Sequence, residues 1–150
     1  VKGWFCNETG YQTPKLATRA AVFQGERILL VKEPKGWALP GGWVDVDVSV
    51  KENTVKEVRE EAGLEVRADR VIALQDGENH HETVYPWKVC IVFVLCTLLG
   101  GEFRENLETS ESGWFSLNEL PELDLEKTTP EQLRMCFEAR RAEHWETRLE

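Results

Sequence analysis

Three glutamates, Glu57, Glu60 and Glu61, stand at i, i+3 and i+4 within the stretch VKENTVKEVREEA. On a helix turning 100° per residue they share one arc, while Val55, Val58 and Ala62 take another that can face a core. Crowding like charges in this way costs roughly 0.2–0.5 kcal/mol per pair. Lys56 and Arg59 offset part of that cost, and a hard divalent cation bound by carboxylate oxygens would offset more. The same pattern also suits a solvated surface helix interspersed with lysine. The residues in front of the helix favour the cation. Pro40-Gly41-Gly42 offers backbone without side chains, which can approach a ligand or metal closely. Ser49 with Glu52 carries the signature of a capping box and Gly63 that of a C-cap, so the spacing predicts a helix over residues 50–62.

Those residues belong to a longer pattern. Residues 42–64 resemble the signature box of the Nudix hydrolases, G-x5-E-x7-R-E-U-x-E-E-x-G-U with U apolar, over its full length. Gly42, Glu57, Val58, Glu60, Glu61, Gly63 and Leu64 match it. Val48 stands where the box has its first Glu, and Lys56 where it has Arg. In the family those two side chains help to brace the loop against the helix, and Lys56 has no such Glu to meet.

The resemblance implies an α+β fold, an α/β/α sandwich with a mixed β-sheet between helices. It also implies cleavage of a diphosphate linkage. The oxygens of such a bond repel an incoming water, so the site must neutralise them and generate a better nucleophile. Mg²⁺, with Mn²⁺ as a substitute, does both. By resemblance, Glu60, Glu61 and the Gly41 carbonyl hold the catalytic metals, while Glu57 either binds metal or orients the attacking water. Glu57 and Glu61 are thus the catalytic candidates. A further acidic residue often comes from the loop after the central strands, here Glu108 or Glu111. Arg19, Phe23, Trp87 and Arg104 are candidates for meeting the nucleotide through stacking or guanidinium–phosphate contacts. Trp37 reads either as a packing aromatic or as a substrate contact.

The branch most resembled acts on nucleoside diphosphates linked to another group, ADP-ribose or CDP-choline for example, and releases a nucleoside monophosphate. A nucleoside triphosphate pyrophosphohydrolase remains an alternative. So does a nucleotide-binding regulatory module whose weak catalysis is marked by Val48 and Lys56.

A length of 150 residues is that of one domain able to bury a core. The chain starts at Val1 without methionine, and the resemblance implies that residues 1–16 are a lead-in ending a small N-terminal region, with the catalytic domain over 17–150. A net charge of −9 argues against unassisted nucleic-acid binding but not against phosphate-bearing small molecules, since bound cations reverse the local sign. Cys6, Cys90, Cys96 and Cys136 show no C-x-x-C spacing and read as buried free thiols of a reducing compartment. The longest apolar run, residues 89–99, is too short to span a bilayer, so a cytoplasmic protein is expected. Monomer and homodimer both remain open.

The elements that must position the site follow in order. Residues 17–23 and 27–33 read as a hairpin turning at Gln24-Gly25-Glu26. Pro34-Lys35-Gly36 is a turn leading into the box. A strand over 64–75, a polar loop over 76–86 and the most apolar, central strand over 89–99 come next. His80 and His81 in that loop point apart and read as solvated. Short strands are expected over 102–104 and 113–117, separated by a polar loop. Thr129 caps a last helix that has Pro130 at its first position.

Overall fold

The computed structural model describes residues 10–82 and 88–150. Among these residues eight strands and two α-helices run in the order β1 (Lys15–Gln24), β2 (Arg27–Glu33), β3 (Gly36–Ala38), β4 (Gly41–Trp43), α1 (Val50–Ala62), β5 (Leu64–Asp76), β6 (Val89–Gly101), β7 (Glu111–Phe115), α2 (Pro130–Arg141) and β8 (Arg148–Leu149). A 3₁₀ turn over Gly77–Asn79 follows β5. The sheet runs β3-β2-β1-β6-β5-β8, with β4 added to β1 and β7 to β2. β1 pairs with β6 in parallel and β5 with β6 antiparallel, so the sheet is mixed.

Alternation along the strands explains why both faces are covered. Successive side chains point to opposite faces. Ala21, Phe23, Ile28, Leu30 and Phe93 pack on one side with Leu133, Cys136 and Phe137 of α2. Their neighbours Ala20, Val22, Leu29, Val31, Val92 and Val94 pack on the other side with Val58 and Ala62 of α1. A helix on each face yields the expected sandwich, and β6 lies between β1 and β5 as its apolar run predicts.

Both helices carry the predicted caps. Ser49 and Glu52 form a complete capping box, and Gly63 closes α1 at φ 70° in the left-handed region that favours glycine. Thr129 and Gln132 form a second box ahead of α2, with Pro130 opening it. The β1–β2 hairpin pairs Phe23 with Ile28 and Gln24 with Arg27, and Gly25 takes a φ of 61° in its two-residue turn.

Several expectations need correction. No strand covers residues 102–104; that segment runs without regular structure to a strand that begins at Glu111, two residues earlier than expected, and ends at Phe115. Ser112 and Phe115 of β7 instead answer Val31 and Ile28 of β2, so partner register decides its bounds. Short β3, β4 and β8 leave too few residues for periodicity to reveal them.

One feature of the sheet opens the site. One edge of β1 pairs with β6, whereas its other edge is divided: Phe23 and Gln24 hold β2, and Ala17, Thr18 and Arg19 hold β4. β2 and β4 therefore diverge. Glu33 and Pro34 at the end of β2, with Gly41, Gly42 and Trp43 of β4, border the cavity between them.

Candidate active site

The cavity measures about 590 Å³. Its floor is built from the β1–β4 pairing. A Cβ on Gly41 would lie 1.9 Å from the Thr18 carbonyl oxygen, so only glycine lets β4 approach β1 this closely. A Cβ on Gly42 would lie 2.9 Å from Glu57 Oε1, and the glycine thus makes room for that carboxylate. Buried Asn53 ties α1 to the floor, donating from Nδ2 to Thr18 Oγ1 at 2.9 Å and to the Gly42 carbonyl at 3.4 Å.

The glutamates of α1 do not share one environment. Glu61 is 2% exposed and accepts a hydrogen bond from the Gly41 backbone N–H at 2.9 Å. Burial pushes its pKa up to about 9, with Arg19 pulling down and Glu57 adding to the rise. Glu57 is half-buried, and its pKa is also raised by burial, against a hydrogen bond with Glu61 that lowers it. One proton held by Glu61 and donated to Glu57 satisfies both directions. Both carboxyls line the cavity; Glu60 is exposed and does not.

A loop at the far end of α1 supplies a third carboxyl. Thr109 Oγ1 donates to the Glu61 carbonyl at 2.6 Å, and Asn106 Nδ2 donates to the same oxygen at 3.2 Å. Asn106 Oδ1 in turn accepts from the backbone N–H groups of Glu108 and Thr109. This clamp holds Glu108 at the cavity wall, where its charge contributes to the raised pKa of Glu57.

The remaining sequence candidates divide. Arg19 lines the cavity and donates to the Leu39 carbonyl at 3.3 Å. Trp37 is not among the lining residues: its ring packs edge-on against Phe115 at 4.9 Å, and its backbone is bonded to Glu122 and Asp124. Phe23 is core, in edge contact with Phe137. Glu111 sits on β7, 3.8 Å from Lys32, and exposed Arg104 lies outside the lining. Trp87 and Cys6 fall outside the described residues. Cys96 and Cys136 are free and buried, and burial pushes both thiols up to about 12.

Other residues join that sequence reasoning missed. His81 is not solvated: Nδ1 lies 2.8 Å from the Leu125 carbonyl and Nε2 2.9 Å from Gln132 Nε2. The first contact makes Nδ1 the donor and the second makes Nε2 the acceptor, so the ring is neutral; burial lowers its pKa accordingly. Both partners come from residues more than forty positions away, which no local pattern reveals. On another wall Glu33 is paired with Lys127. Lys56, which has no Glu at position 48 to meet, instead meets Asp45 at 3.6 Å.

Among the described residues no three His, Cys, Asp or Glu side chains converge closely enough to hold a metal by themselves. A hard cation such as Mg²⁺ needs only one or two carboxylates when waters and substrate oxygens complete its shell. Buried Glu61 and half-buried Glu57, whose carboxyls both line the cavity, fit that requirement.

Comparison with known proteins decides the family. The NUDIX domain profile matches residues 13–136. The chain belongs to the Nudix family. The crystal structure of an ADP-ribose pyrophosphatase from Streptococcus suis is 60% identical, with a TM-score of 0.86, covering 92% of this chain and all of that one. Among curated proteins, YjhB of Bacillus subtilis is 37% identical over 133 residues, or 87% of this chain. An NAD-capped RNA hydrolase, NudC of Pseudomonas aeruginosa, is 29% identical over 91% of this chain. The chain spans 64% of the first and 50% of the second. Among the described residues of this Nudix protein no helix is long and apolar enough to cross a membrane.

Proposed function

We propose that this Nudix chain hydrolyses the diphosphate linkage of a nucleoside diphosphate joined to another group, of the ADP-ribose or CDP-choline type, with Mg²⁺ or Mn²⁺. The observation that carries this reading is a buried and a half-buried carboxyl, Glu61 and Glu57, in a predominantly acidic cavity. Glu57, Glu61, Glu108, Asp45 and Glu78 face it, with Arg19 and Lys127 as its basic side chains. An anionic diphosphate enters such a cavity only in company with cations. The likeness to the Streptococcus suis ADP-ribose pyrophosphatase supports the substrate class.

Each residue then has a part. Glu57 and Glu61, with the backbone of Gly41, would hold the cation, and Glu60, exposed and outside the lining, would add negative charge beside Glu57. When bound, the cation neutralises phosphate oxygens and lowers the pKa of coordinated water. Glu57, the less buried of the pair, orients the attacking water and takes its proton. Glu61 keeps β4 in register through Gly41 while supplying the second negative charge. The Arg19 guanidinium binds a phosphate oxygen, and Glu108 closes the acidic wall. We assign the catalytic unit to residues 17–150, with residues 1–16 as its lead-in. The free, high-pKa thiols fit a reducing, cytoplasmic setting. The acidic charge supports a small nucleotide derivative over an RNA substrate.

The test is a panel of ADP-ribose, CDP-choline, nucleotide sugars, nucleoside triphosphates and NAD-capped RNA, with Mg²⁺ or Mn²⁺ and product identification. Nucleoside monophosphate release from a linked diphosphate, faster than turnover of triphosphates or capped RNA, is expected. Preference for triphosphates or RNA would replace the substrate class, and nucleotide binding without any turnover would replace the enzyme with a regulatory module.

A further inference from the structure

We infer that Asp45 and Lys56 are a positioning pair, which holds the turn of residues 45–48 against α1 and keeps the Lys56 ammonium off the Glu57 carboxylate. The inference rests on the reading of the site as a cation-assisted hydrolase. Asp45 lines the cavity just beyond β4, and its Oδ2 lies 3.6 Å from Lys56 Nζ. Its backbone carbonyl accepts from the Val48 N–H at 3.3 Å and closes the turn. One residue thus ties the turn to itself by backbone and to the helix by side chain.

Lys56 immediately precedes Glu57 and feels the charges of Glu60, Glu57 and Asp45 together. Released from Asp45, a flexible ammonium moves toward the more buried of its acidic neighbours, because attraction strengthens where water is excluded. Glu57 is that neighbour, and an ammonium there competes with the cation. The structure also shows where a replacement could come from. Val48 borders the same shallow surface depression as Lys56, so a carboxylate at position 48 approaches the ammonium from the opposite corner of the turn.

The test uses Asp45→Ala, Val48→Glu and the double variant. Asp45→Ala is expected to lower kcat on ADP-ribose about fivefold, the upper end of what an exposed ion pair contributes, with KM and the thermal midpoint nearly unchanged. It is also expected to weaken Mn²⁺ binding, read by electron paramagnetic resonance without substrate. Adding Val48→Glu to Asp45→Ala should restore both quantities, whereas Val48→Glu alone should change kcat by less than about twofold. A loss that Val48→Glu does not restore, or one matched by a fall in midpoint, overturns the pair. If the unaltered chain turns over nothing, the parent reading fails instead, and Mn²⁺ binding alone decides the pair: equal affinity in Asp45→Ala overturns it.

Discussion

Among the single residues Glu61 is the most perturbed, because burial of a carboxyl that is 2% exposed and bonded to the Gly41 N–H pushes its pKa up to about 9. The sign of the stability effect follows. Between the ordinary glutamate range and that value, the unfolded chain has released a proton that the folded metal-free protein keeps. Stability is therefore fully present below the unfolded pKa and lost as pH rises toward 9. Melting in chelator at pH 5, 7 and 9 is expected to show a steeper decline for the native sequence than for Glu61→Gln, and parallel curves would contradict the assignment. The glutamate spacing was legible without coordinates. The inequality among the three was not, since burial of Glu61 and exposure of Glu60 depend on where β4 lies. Likewise Lys56 found its partner in Asp45, across a turn that the spacing alone did not place.

At the scale of elements, α1 and the loops clamped to its two ends set the cavity. Ser49→Ala removes a capping hydrogen bond to the Glu52 N–H and should cost about 1 kcal/mol in chemical denaturation. Thr109→Val removes the hydroxyl that bonds the Glu61 carbonyl, leaving Asn106 to hold the loop. Its cost is expected to be about 1 kcal/mol. A larger relative loss of turnover than of stability would show that Glu108 has been displaced. Gly41→Ala is the severe change, since its Cβ would meet the Thr18 oxygen at 1.9 Å. It should part β4 from β1 and abolish cation binding, and a variant that binds Mn²⁺ normally would refute the floor described here. Caps, hairpin and central strand were readable from local signals. β7 was misplaced because its bounds follow β2, and His81 was misread because Leu125 and Gln132 hold it from a distant segment.

At the scale of the molecule, the described residues form a mixed sheet with a helix on each face, and the cavity opens where β1 gives one edge to two partners. α2 packs on the face of the sheet opposite α1, and its Phe137 is nearly fully buried there. Phe137→Ala should cost about 3–5 kcal/mol in stability. The rate per folded molecule should change little, which separates support of the fold from support of the site. In the proposed reaction the Glu57–Glu61 pair makes an acidic cavity competent for an anionic substrate by holding a divalent cation. The most direct measurement is the initial rate of nucleoside monophosphate release from ADP-ribose against Mg²⁺ concentration, for the native sequence and Glu61→Gln side by side. A saturable Mg²⁺ requirement, with the variant slower by about a hundredfold or more, is expected. A rate indifferent to Mg²⁺, or a variant as fast as the native sequence, would contradict it.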